Sequence, residues 1–149
     1  MLYDTLAVDK LAAFTEESSM GFAVEFDAGN KVLRVTLEGV ITDPILAEAH
    51  SAAARYVASL GPCRGIIDLS QVTKFEVSSE LIRKQAAGPS PWPAGYMRIL
   101  VAPKDSLYGM ARMMQILCED TRPELRVVRT AQEAQDLLGV ELPQFVAIS

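Results

Sequence analysis

The residues with chemistry to offer fall at the starts of expected helices and at the ends of expected strands. "VSSELIRKQAAG" places Ser78 and Ser79 where a short helix opens. A serine there can cap the helix by accepting a backbone N–H bond, a contribution of about 1 kcal/mol. It can also be phosphorylated, because a helix N-terminus tolerates the added negative charge. Both roles stay open for the pair. Asp68 lies near the end of the apolar run "RGIIDL" and Ser70 just after it. Lys104, Asp105 and Ser106 follow "YMRILVA", and Thr42 with Asp43 follows "KVLRVTLEGVI". If those runs are strands of an open α/β sheet, the three loops converge on the edge where such sheets bind partners. Ordinary capping and turn bonds are the competing role for each of these residues.

A second group is apolar. Met110, Met113 and Met114 crowd one expected helix, and Phe75, Trp92 and Tyr108 can supply aromatic walls. Methionine fills irregular core gaps and also lines adaptable ligand pockets. In the second role these six residues would enclose a small hydrophobic ligand, with the proline-rich loop 89–95 as its lid.

Other chemistry has little basis. His50 is the single histidine, and no metal-ligand spacing joins it to Cys63 or Cys118. No nucleophile elbow, Gly-rich phosphate loop or dinucleotide signature occurs, so neither a catalytic site nor a cofactor is expected. The two cysteines read as buried thiols rather than a disulfide framework. The net charge is −5, with four basic and nine acidic residues in 1–60 against six and four in 96–130. No basic run exists, which argues against nucleic acid as a partner. No apolar run approaches the roughly 20 residues of a membrane span. The first residues lack the basic start of a signal peptide, so a cytoplasmic protein is expected.

The elements that must position these groups follow from periodicity. Residues 4–17 read as an amphipathic helix, an extension (1–19) before the main domain. "GFAVEFD" and "KVLRVTLEG" alternate with period two around an Ala-Gly-Asn turn, which predicts an antiparallel hairpin. In "TDPILAEAHSAAARYVASLG" the period becomes helical, with Asp43 as cap, Pro44 at the first position and Gly61-Pro62 as the stop. Strand and helix then alternate: "RGIIDL", "SSELIRKQAAG", "YMRILVA", "DSLYGMARMMQILCED", "ELRVVR" and "TAQEAQDLLG", the last with Thr130 and Glu133 in capping-box spacing. Such alternation predicts an α/β fold. Its sheet is mixed and mostly parallel, of about five strands with an antiparallel edge strand, and helices pack on it. One domain spans 20–140, followed by a tail (141–149) with weak strand tendency.

"GIIDLSQVTKFEVSSEL" resembles the STAS domain of bacterial anti-sigma factor antagonists. Asp68, Leu69 and Ser70 match the first part of that family's pattern; Phe75, Ser78, Ser79 and Leu81 match the second. Val77 and Glu80 stand where the family has Asp and Gly. "MRILVAPKDSLYGMARMMQILCED" with "LRVVRTAQEAQDLLG" is similar to the SpoIIAA-like proteins of the STAS and CRAL-TRIO-like superfamily. The resemblance implies a STAS-like fold and a non-catalytic regulatory module. Its partner would be a regulatory kinase or an anti-sigma factor, met at the edge formed by Thr42, Asp43, Asp68, Ser70, Lys104, Asp105 and Ser106. Ser79 is the better positional match for a switch serine, ahead of Ser78. The alternative implied by CRAL-TRIO-like relatives is lipid or small-hydrophobe binding. The extension and the tail are further expected to support a homodimer.

Overall fold

The computed structural model describes residues 21–148; the expected helix at 4–17 lies outside them. A hairpin begins the described chain. β1 (Phe22–Asp27) pairs antiparallel with β2 (Val32–Thr42), and Phe22, Val24 and Phe26 stand opposite Leu37, Val35 and Leu33. The period-two pattern puts these six on one face. The turn is held by Asp27, 2% exposed, whose carboxylate accepts from the backbone N–H of Asn30 (3.0 Å) and from its side-chain amide (2.8 Å). Burial alone would raise the Asp27 pKa; its hydrogen bonds from Asn30, Gln144 and Gly29 outweigh burial and hold it below the usual carboxylate range.

The chain then alternates through α1 (Asp43–Leu60), β3 (Arg64–Glu76), α2 (Ser79–Ala87), β4 (Arg98–Val101), α3 (Asp105–Leu117), β5 (Leu125–Val128), α4 (Ala131–Leu138) and β6 (Val146–Ala147). The sheet order is β5-β4-β3-β2-β1-β6, with β2 to β5 parallel. Each parallel strand is added on the same side of the one before it, so successive crossovers of one hand lay their helices on one face. α1, α2 and α3 pack there over Leu33, Val35, Leu37, Leu69 and Leu100. α4 covers the other face, against Val32, Ile66, Ile99 and Val101. β4, "RILV", is therefore buried on both sides.

The α/β class, the mostly parallel sheet and the antiparallel hairpin are as the sequence implies. Three details differ. The sheet has six strands instead of about five, and β1 is not a free edge: β6 pairs antiparallel with Glu25 and Phe26. The tail is drawn in because Gln144 donates its backbone N–H to Asp27 (3.0 Å) and Ile148 donates to the Val24 carbonyl (3.0 Å). β3 runs for 13 residues, well past "RGIIDL". Its polar second half finds a partner in the end of β2, where Gln71 to Glu76 pair with Glu38 to Thr42 after one register shift and across a second. The cap of α1 is Thr42, one residue before the expected Asp43. α4 has the expected capping box of Thr130 with Glu133, and Gly139 ends it in the left-handed conformation (φ 70°) that glycine adopts without strain.

Candidate functional site: an apolar cavity with a buried guanidinium

Between the sheet and its three-helix face lies a cavity of about 90 Å³. The floor comes from alternate positions of three central strands: Val35 and Leu37, Ile67 and Leu69, Arg98 and Leu100. The roof comes from α1 (Leu46, Ala49, His50, Ala53), α2 (Ile82, Gln85) and α3 (Met110, Ala111, Met114), and Phe75 closes one side. The space exists because small residues face each other here. Ala49, Ala53 and Ala111 are each 4% exposed or less and cannot fill the gap between helix axis and sheet. Pro91 and Trp92, from the loop 89–95, form another wall. Trp92 reaches the sheet because β3 has glycine at position 65. A Cβ built there would overlap the indole atoms Cε2, Nε1 and Cζ2.

Three polar groups line this apolar cavity. Arg98 is 7% exposed, a cation on an otherwise apolar strand. Its one side-chain hydrogen bond within the described residues goes to Ser90 Oγ (3.1 Å), and its guanidinium lies 5.6 Å from the Trp92 ring centre. No carboxylate forms an ion pair with it among those residues. Burial lowers its pKa to about 10, and the neighbouring Arg122 adds to the shift; Cys118 and Glu124 oppose it weakly. His50 Nε2 and Trp92 Nε1 are buried and have no hydrogen-bond partner among the described residues. Burial first, then the charges of Arg122 and Arg98, push the His50 pKa down, so the imidazole is neutral at pH 7. A buried polar atom without a partner costs about 1–3 kcal/mol, and an unpaired buried charge costs more.

Arg98 and Trp92 also face a wider outer cleft of about 560 Å³, bordered by the loop 87–94, Tyr96, Thr121, Arg122 and Glu124. Arg122, 8% exposed, is held by bonds to the Gln85 carbonyl (3.0 Å) and the Gly88 carbonyl. Inner cavity and outer cleft thus meet at one wall, made of a tryptophan and a guanidinium.

Four of the six residues expected to line a pocket do so: Phe75, Trp92, Met110 and Met114. Met113 does not; it points to solvent, 57% exposed. Tyr108 does not either, because Arg129 holds it in a stack 4.6 Å from its ring centre. Arg98 and His50 were not legible as partners of that pocket. The one signal in the sequence was the arginine inside "MRILVA", which shares a strand face with Leu100.

The expected partner edge divides in two. Asp43, next to Thr42, meets Ser78: the Asp43 carboxylate accepts from the Ser78 backbone N–H and from its hydroxyl, both at 2.7 Å. The backbone bond first, then the hydroxyl, lowers the Asp43 pKa. Ser78 is also the cap of α2, its oxygen accepting from Leu81 N–H (3.1 Å). Ser79 is the first helical residue, exposed. Lys104 and Ser106 border a separate groove with Thr73, Lys74 and Phe75, and Lys104 Nζ donates to the Val72 carbonyl (2.6 Å). Asp105 is paired with Arg129 at 2.5 Å. Asp68 and Ser70 belong to neither cluster. They stand inside β3 instead of beyond its end, because the strand is longer than its apolar run. Ser70 donates its backbone N–H to Asp68 Oδ1 (2.9 Å).

Both cysteines are buried free thiols, and burial raises the Cys63 pKa. Among the described residues no three His, Cys, Asp or Glu side chains stand close enough to hold a metal ion. No helix among them is long and apolar enough to cross a membrane. The fold and the cavity define an α/β domain with a mixed six-stranded sheet and a small apolar site on its three-helix face. Neither a protein-family model nor a curated protein matches this chain.

Proposed function

We propose that this protein is a non-catalytic binder of a small hydrophobic molecule, held between the sheet and α1 to α3. The carrying observation is the cavity itself: methionine, aromatic and aliphatic walls around 90 Å³ of space, with two buried polar atoms left without partners among the described residues. Native interiors are close-packed and satisfy their polar groups, so space and orphaned donors in one place mark a ligand site better than a core. The volume fits a chain of a few carbons or one small ring. Native mass spectrometry of protein taken from its source tests this: a bound apolar compound lost on denaturation supports it. A bare chain that also fails to take up a small neutral probe such as 1-hexanol removes the reading.

A second reading is a STAS-type regulatory module that docks a kinase or anti-sigma partner. It draws on Ser79, which is exposed at the start of α2 beside the Ser78–Asp43 tie between α2 and α1. A phosphate there would sit at a helix N-terminus and one residue from Glu80. Loss of a captured partner on Ser79→Glu, with the fold unchanged, supports this reading. Capture unaffected by that change removes Ser79 from it.

A further inference from the structure

Arg98 asks for something the described residues do not supply. Its guanidinium is removed from water, carries five N–H donors and makes one side-chain bond, to Ser90 Oγ. Arg122 stands close enough to repel it, and Glu124, the one carboxylate that acts on it, weighs less than that repulsion. Around it are Trp92 Nε1 and His50 Nε2, both buried and unpartnered on the same cavity. A core has no use for a cation, an indole N–H and a neutral imidazole set together without an anion. A site for an amphipathic acid has use for all three.

We infer that the ligand of this cavity is a small carboxylic acid, its apolar body enclosed by Met110, Met114 and Phe75 and its carboxylate held by Arg98 at the wall shared with the outer cleft. The inference rests on the apolar-binder reading and adds the head group to it. The fork of a guanidinium matches a carboxylate with two parallel bonds. A phosphate would bring more charge than one free arginine answers, since Arg122 already donates to the Gln85 and Gly88 carbonyls. The cleft beside Arg98 provides the way in, and Pro91 and Trp92 of the 89–95 loop are the parts that would move.

The test compares two probes that share a six-carbon chain and differ in the head: hexanoate and 1-hexanol. Trp92 is the sole tryptophan, so its emission reports the site without a label. The methyl resonances of isotope-labelled Met110 and Met114 give an independent reading of the inner wall. The expected result is binding of both, with hexanoate at least tenfold tighter, and loss of that preference in Arg98→Met with 1-hexanol affinity retained. Equal affinities, or tighter binding of the alcohol, overturn the carboxylate inference and leave the apolar-binder reading in place. No change in emission or methyl shift with either probe overturns both. If Arg98→Met does not fold, the two-probe ratio in the unaltered protein still decides, and Arg98→Lys, which keeps the charge but not the fork, is expected to lower the ratio without abolishing it.

Discussion

Gly65→Ala puts the site's construction to a direct test. Gly65 is buried in β3, and a methyl group there occupies the volume of the Trp92 indole. The obstructing atoms belong to a rigid bicyclic ring, 6% exposed, and not to the free end of a flexible chain. Two responses bracket the outcome. If β3 and the ring shift slightly, the strain is that of an overpacked core, about 1–3 kcal/mol. If the ring leaves, the loss is the burial of a tryptophan: about 150–250 Å² at about 25 cal/mol per Å², or about 4–6 kcal/mol. Even the lower figure is a sizeable part of the roughly 5–15 kcal/mol that holds a domain folded. With a urea slope of about 2 kcal/mol per molar, the unfolding midpoint drops by about 0.5 M or more. The assay is urea unfolding followed by circular dichroism, with the native emission spectrum of Trp92 recorded beside it. Expulsion moves that emission to the red; strain alone leaves it nearly fixed while the midpoint falls. An unchanged midpoint together with an unchanged emission maximum would refute the packing of Trp92 on Gly65, and with it the wall between cavity and cleft.

Other consequences are simpler. Ser78→Ala removes the cap of α2 and a partner of Asp43, and thermal or urea unfolding should show a loss of about 1 kcal/mol, the ordinary size for such a cap. Cys63 and Cys118 should resist a thiol reagent in the native protein and react together once it unfolds, because both are buried; fast native labelling of Cys63 would contradict its packing. His50 has a folded pKa below 6.5, so between those two values the unfolded chain binds the extra proton. Stability should therefore hold above pH 6.5 and decline as pH falls below it, a decline that His50→Gln removes; melting temperatures of both proteins across that range check the sign.

The order of elements was open to reading because alternation and capping are local. "FAVEFD" and "LRVTLE" alternate, and Thr130 with Glu133 marks its helix without help from the rest of the chain. The failures share one cause: pairing between distant segments overrode local composition. "SQVTKFE" looks like a loop, yet it is strand because Glu38 to Thr42 lies beside it. The weak strand tendency of the tail is realised in Val146–Ala147, and the partner that the tail's composition could not name is β1, beside Asp27, which accepts from Gln144 across 117 residues. For the site, the apolar half was visible in the crowding of methionines and aromatics. The polar half was not. Arg98 and His50 are far apart along the chain, and only the parallel pairing of β3 with β4 under α1 brings them to one cavity.

Whether the cavity is a site or a flaw in packing is decided by energy. A void closed off from water costs about 24 cal/mol per Å³; for 90 Å³ that sets a ceiling of about 2 kcal/mol. A chain with no use for the space could remove most of this cost with one larger side chain. Ala53, 2% exposed on α1 and bordering the void, is the place for it. Ala53→Leu adds three carbons where there is room for a few. The expected result is a gain of up to about 2 kcal/mol in urea unfolding, together with loss of hexanoate and 1-hexanol binding. That combination means stability has been given up at this position for binding, as happens at functional sites. Loss of stability with binding intact would show that the space is already filled by its neighbours, and the cavity would then have no claim on a ligand.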